Sequence, residues 1–315
     1  MGIYGEDREL VFRDVRQREM ISEEYGIKNI FTFAFPMLSP DRTALVFGYY
    51  VSNPISTGFC ESSSIWVVNT DGSNPRELFH TDNGCAIPHR WSPDGFRLLA
   101  FVGKYPGDYS FVIDVVSGEV TTIAERDAGG SWSPDGKQIV LPIWSGGWPD
   151  KMGLYVVNAD GSQPHMIWSA KQVPGDWSGL GNVEWSPDGT KIVFEAYRDV
   201  NQVRECYTIS PDGTNLTMLV SKCYAPRWSP DGKSLAVLVW NDAEDARILY
   251  VVDHTGQFKP IHRSMLSEPA MWSSDGKALL FTSSNGDTLI AFPDEDKIFK
   301  VPGVERMAPV MSMTW

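Results

Sequence analysis

Few residues in this chain have the type and spacing that chemistry requires. Cys60, Cys85, Cys206 and Cys223 form no Cys-x-x-Cys pair, so their spacing gives a zinc or iron–sulfur centre no support. The five histidines, His80, His89, His165, His254 and His262, follow no ligand pattern. Asp71, Asp160 and Asp212 each stand before a glycine and a hydroxyl residue, like half of a calcium loop without its other ligands. Asp-Gly is also what a tight hairpin demands, and that reading is preferred. The sequence holds no Gly-x-Ser-x-Gly elbow, Walker loop or dinucleotide fingerprint. Neither a cofactor nor a metal is therefore expected.

The elements that must position any site are written in a repeat, which is the first thing to seek. Trp-Ser-Pro-Asp-Gly occurs at residues 91–95, 132–136, 185–189 and 228–232, Trp-Ser-Ser-Asp-Gly at 272–276, and the decayed Leu38-Ser39-Pro40-Asp41-Arg42 before them. Apolar runs follow, such as Leu98-Leu99-Ala100-Phe101 and Ile192-Val193-Phe194. A second turn signal, Asn-x-Asp-Gly-Ser or a relative, recurs at 69–73, 158–162, 210–214 and 253–256. Proline sets φ for the first turn position and glycine takes the left-handed one, so each repeat reads as four antiparallel strands joined by two tight turns. Such a sheet cannot cover both faces alone and must stack on its copies. The fold class expected is all-β, a β-propeller formed by residues 1–315 as one domain.

These repeats resemble those of TolB-type propellers with PD40 repeats, relatives of WD40 domains, over nearly the whole chain. The resemblance rests on the five Trp-Ser-(Pro/Ser)-Asp-Gly copies and their Asp-Gly-Ser partners. The α/β domain that precedes the propeller in TolB has no counterpart in these residues, nor does a prolyl-oligopeptidase type of hydrolase domain. Motif starts run at intervals of about 45 residues, one blade each, and Ala308-Pro309-Val310-Met311-Ser312 begins a further unit. The expectation is seven blades, the seventh closed by N- and C-terminal strands from residues 1–30 and 303–315; six blades is the alternative.

On this map the Asp-Gly turns share one face and the long connections the other, where binding residues of rigid scaffolds concentrate. Those connections, near 51–64, 103–110, 143–153, 168–182, 196–205 and 240–247, carry Phe59, Tyr105, Tyr109, Trp144, Trp148, Trp168, Trp177, Tyr197 and Trp240. They suit a sugar or a protein partner, or else pack the loops down. The residue before each motif position faces the axis, giving Met37, Arg90, Ser131, Glu184, Arg227, Met271 and Val310. Arg90 and Arg227 with Glu184 and His89 can hold a carboxylate, or form a charge network plugging the channel. Oligogalacturonate lyases, on related propellers, gather several histidines near the axis around a metal. Here only His89 is near it, while His165 and His254 fall on the wrong face or rim. Cys60 with Cys85 and Cys206 with Cys223 occupy equivalent places in two blades on the loop face, so two disulfides are expected, with free thiols as the alternative.

With 27 basic against 40 acidic side chains the net charge is −13, which repels phosphate backbones and argues against nucleic acid. No stretch reaches the roughly 18 apolar residues of a membrane-spanning helix. No leader is visible at Met1–Arg8, yet disulfides imply an oxidising compartment, so a periplasmic or secreted protein whose leader has been removed is expected, cytoplasmic residence staying open. TolB-like propellers act through partners. The function expected is thus a monomeric, non-catalytic binding propeller presenting its loop face to a protein or glycan. The alternative is a carbohydrate-active enzyme, a polysaccharide lyase or glycoside hydrolase using the axial residues on an acidic sugar.

Overall fold

The computed structural model describes residues 30–52, 60–103, 107–125, 129–143, 152–172, 177–198, 203–264, 270–283 and 285–305. Twenty-four strands among them form six four-stranded antiparallel sheets, each in simple sequence order. The first sheet holds β1 (Ile30–Leu38), β2 (Ala44–Ser52), β3 (Cys60–Asn69) and β4 (Arg76–Thr81), and the second β5 (Cys85–Trp91), β6 (Arg97–Gly103), β7 (Tyr109–Asp114) and β8 (Val120–Glu125). The third comprises β9 (Ser131–Trp132), β10 (Gln138–Ile143), β11 (Gly153–Asn158) and β12 (His165–Ser169). Next come β13 (Trp177–Trp185), β14 (Ile192–Arg198), β15 (Val203–Ile209) and β16 (Thr217–Ser221), then β17 (Cys223–Trp228), β18 (Ser234–Asn241), β19 (Ala246–Asp253) and β20 (Phe258–Ser264). The sixth is β21 (Met271–Trp272), β22 (Leu279–Thr282), β23 (Asp287–Phe292) and β24 (Lys297–Glu305). Every first strand ends on a motif position, 38, 91, 132, 185, 228 or 272.

One local device sets this register. In each first turn the motif Ser hydroxyl donates to the Asp two residues on, at 2.5–2.7 Å from Ser39 to Ser273. The same hydroxyl accepts the amide that opens the second strand, as Arg97 N to Ser92 Oγ at 2.9 Å and Ser234 N to Ser229 Oγ at 2.9 Å. The Asp also accepts an amide two residues on, such as Lys137 N to Asp135. Glycine then takes a left-handed φ, +76° at Gly95 and +71° at Gly232. Asp71, Asp160 and Asp212 do the same in the second turns, each accepting the amide two residues later. They are hairpin residues.

The second strands read as unbroken apolar runs because both their faces are covered. Ile192 and Phe194 pack with Val140, Leu154 and Trp168 of the third sheet, whereas Val193 packs with Leu235, Val237 and Val252 of the fifth. Ala236 and Leu238 turn to Leu279 and Phe281 of the sixth. Met37, Val46 and Ile65 likewise meet Ala86, Leu98 and Phe111 between the first two sheets.

The chain divides into two compact units, the first holding sheets one and two, the second sheets three to six. Ile30 opens β1 and residues 303–305 end β24, whose Glu305 pairs with Asp287. Residues 1–29 and 306–315, expected to supply the rest of a closing blade, lie outside the described residues.

Candidate functional site

Three of the residues expected at an axis, Ser131, Glu184 and Arg227, are engaged in joining sheet to sheet, and Val310 lies outside the described residues. Glu184 accepts the Trp228 amide at 3.1 Å, and its carboxylate lies 3.8 Å from the Arg227 guanidinium. Ser131 accepts the Trp185 amide at 3.1 Å in the same manner, and the Arg227 carbonyl accepts the Trp272 indole N–H at 3.2 Å. Met37 faces no channel: it is 1% exposed within the core between the first two sheets. His89 and Arg90 are half-buried in β5, in the other unit, at a bulge between Pro88 and Arg90. The His89 ring stands edge-on to Phe101 at 6.1 Å, and a Cβ on Gly129 would sit 2.9 Å from its Nε2. Glu184 and Arg227 are thus brought together as a structural link. Among the described residues no group of three or more His, Cys, Asp or Glu could hold a metal ion.

The loop-side aromatics fare differently from one another. Tyr105, Trp144 and Trp148 lie outside the described residues, as does Phe59. Trp177 opens β13 and Tyr109 opens β7. Trp168 is a correction: it is fully buried in β12 against Phe194, with ring centroids 5.2 Å apart, because its strand faces the seam between sheets three and four. Tyr197 and Trp240 stand near the ends of β14 and β18 rather than on loops, and both are half-buried.

Those two aromatics belong to an arrangement that the sequence map missed. Tyr197 lies directly opposite Arg204 across β14 and β15, and Trp240 directly opposite Arg247 across β18 and β19. In each case the aromatic falls twelve residues after the motif Trp and the arginine nineteen. Tyr224, from β17, comes between them. The Arg204 guanidinium carbon is 4.7 Å from the Tyr197 ring centre and 4.9 Å from that of Tyr224; Arg247 lies 4.4 Å from Tyr224 and 6.0 Å from Trp240. Five side chains of sheets four and five thus alternate aromatic and cation, each contact favourable through the ring quadrupole. Trp144 and Lys151 hold the same two places in the preceding repeat, outside the described residues.

A buried carboxylate anchors this ladder. Glu195, 0% exposed in β14, accepts Asn182 Nδ2 at 2.8 Å, the Tyr197 hydroxyl at 3.0 Å and the Ala225 amide at 2.5 Å. That amide is available because β17 bulges between Tyr224 and Arg227, with Ala225 at φ +50°. Arg204 lies 3.7 Å from the same carboxylate, beyond good hydrogen-bond length, with 40% of its side chain exposed. Burial, then the Glu195 charge, holds the Tyr197 hydroxyl un-ionised well above its ordinary range. Gly181 is needed here, because a Cβ would fall 1.8 Å from the Tyr197 oxygen. A charge inside the apolar run Ile192-Val193-Phe194-Glu195-Ala196, and the aromatic and cation at fixed offsets, were the signals that could have revealed the site.

Beside the ladder, Cys206 of β15 is bonded to Cys223 of β17, with Cα atoms 5.6 Å apart. Cys60 and Cys85 join β3 to β5 likewise, at 5.1 Å. Both expected disulfides are formed, and each staples one sheet to the first strand of the next.

No family model matches the chain. A stretch of 114 residues, 34% of the chain, is 32% identical to the Tol-Pal system protein TolB of Francisella tularensis subsp. mediasiatica, and spans a quarter of that protein's length. TolB from Acinetobacter baumannii superposes with a TM-score of 0.56 at 18% identity, over 91% of this chain and 69% of that one. Oligogalacturonate lyase from Vibrio parahaemolyticus gives 0.63 at 15% identity, over 86% and 78%. At these identities the solved structures speak for the fold alone. The repeated turn, the four-stranded sheets and these likenesses together give the chain a β-propeller repeat fold similar to that of TolB-type, PD40 proteins.

Proposed function

We propose that this chain is a binding propeller, not a catalyst, and that it takes a protein partner at the loop-side ends of sheets four and five. The observation that carries this reading is the Tyr197–Arg204–Tyr224–Arg247–Trp240 ladder. Arginine, tyrosine and tryptophan are the side chains that dominate binding energy at protein interfaces. Here they are pre-ordered by a buried carboxylate and a disulfide, which lowers the entropy lost on docking. Two guanidinium groups lie over the Tyr224 ring, so the ladder offers N–H donors rather than an open ring for a sugar. A carboxylate on the partner fits that fork.

The finer features of the reading are seven blades closed by the terminal strands, monomeric behaviour and an extracytoplasmic location. The two disulfides support the last. The enzymatic alternative, a lyase or hydrolase acting on an acidic sugar, is less favoured, because the link between Glu184 and Arg227 favours a structural role for that pair. The test is fluorescence polarisation of labelled acidic peptides and of oligogalacturonides against the wild-type chain and Arg204→Lys. Peptide binding that Arg204→Lys weakens supports the proposal, since lysine keeps the charge and loses the fork. Oligogalacturonide turnover that Arg227→Ala abolishes would establish the enzyme instead.

A further inference from the structure

The turn end of the second sheet departs from the repeat that builds it. The residue after the first-turn Asp-Gly is Lys137, Lys233 or Lys277 in three sheets and Thr190 in another, with Thr43 at the matching place in the first. In the second sheet it is Phe96, 61% exposed. The second hairpin of that sheet, built on Asp-Gly in sheets one, three and four, reads Asp114-Val115-Val116-Ser117-Gly118, and leaves Val116 75% and Val120 40% exposed. The Val115 amide donates to the Phe96 carbonyl at 2.8 Å, so the two turns are fastened side by side. Three of the seven exposed large apolar side chains among the described residues thus belong to the turn end of one sheet. Nothing in the turn chemistry requires Phe96, because Lys and Thr fill its place elsewhere. Contiguous exposed apolar surface on a folded protein marks an interaction site.

The charges around it indicate what it meets. Asp94, Asp114 and Glu119 stand on the same turns with one cation, Arg97, which pairs with Asp94 at 3.2 Å. The Asp94 carboxyl is held below its ordinary range: burial alone would raise it, but the Ser92 hydroxyl, the Phe96 amide and Arg97 outweigh that. Asp114 is lowered chiefly by the Ser117 amide and hydroxyl. Both are therefore ionised near neutrality, and the turn end is net negative. A second copy of a chain with charge −13 would be repelled from it. We infer that Phe96, Val116 and Val120 form a second docking surface, for a basic amphipathic segment of a partner protein: its apolar side covers the three residues and its Lys or Arg side chains meet Asp94, Asp114 and Glu119. This surface lies on the first unit and is independent of the ladder.

The experiment titrates the full chain against two labelled helical peptides of equal length, one Leu/Lys and one Leu/Glu. The Leu/Lys peptide is expected to bind, and Phe96→Thr/Val116→Thr to weaken it about tenfold or more. That double change leaves net charge untouched and uses a residue the repeat already accepts, so circular dichroism and the melting temperature should stay near wild type. Should the pair disturb folding, Val120→Thr alone gives the same reading more weakly, and Glu119→Gln tests the charged rim. Equal binding of the Leu/Lys peptide to wild type and the double variant would reduce the attraction to bulk charge and overturn the proposal. So would a concentration-dependent dimer of the wild type, seen by sedimentation and abolished by the same pair, since a second copy would then be the occupant.

Discussion

Glu195 is the residue on which the loop-side site depends. A carboxylate at 0% exposure survives only with its hydrogen bonds complete, and here an amide, a carboxamide and a phenol supply them. Truncation in Glu195→Ala strands those donors, and urea denaturation should show a loss of about 3 kcal/mol. Glu195→Gln, which keeps the shape and part of the bonding, should lose less. Arg204→Lys should leave stability within about 0.5 kcal/mol, because the guanidinium is partly exposed and its ion pair long. This site was half legible in the sequence. Tyr197 and Trp240 could be picked out as aromatics near connections, but their arginines lie on neighbouring strands, and Tyr224 reaches them only because β17 bulges. Trp168 shows the converse. An aromatic next to a connection is indistinguishable by type from one filling a seam, and only the packing of β12 on Phe194 decides.

At the scale of the element, the first turn was the most legible part of the chain, because Ser, Asp and Gly each have one task in it. Ser92 is fully buried, donating to Asp94 and accepting the Arg97 amide. Ser92→Ala should cost about 1–3 kcal/mol by denaturant titration, the penalty of unmated buried groups. The disulfides were legible too, once the repeat placed each cysteine couple at equivalent ends of consecutive sheets. Replacing Cys206 and Cys223 together by Ala should remove about 3 kcal/mol, read from the same unfolding curves with m-value checked. The bulges of β1, β5, β13 and β17 were not legible. They follow from the left-handed φ of Phe35 and Ala225 or from shifts of register, which residue type does not announce.

For the whole molecule, the same turns make stability depend on pH. The carboxyls of Asp135 and Asp231 are held below their ordinary range chiefly by the Ser133 and Ser229 hydroxyls, with Lys137 and Lys233 amides adding to it. A carboxyl lowered by folding stabilises the native state above its unfolded value of about 3.9 and ceases to do so as pH falls through the native value. The melting temperature should therefore be level from pH 7 to about 5 and fall steeply below about 4; a level profile down to about pH 3 would contradict this. A charge of −13 adds self-repulsion above neutrality, so added salt should raise the melting temperature at pH 8. The central claim, a protein-binding ladder across sheets four and five, is tested most directly by selecting displayed random peptides on the wild-type chain and screening them against Arg204→Lys/Arg247→Lys. The expected result is enrichment of sequences rich in Asp and Glu whose binding the double variant abolishes. Peptides that bind both chains equally, or no enrichment at all, would contradict it.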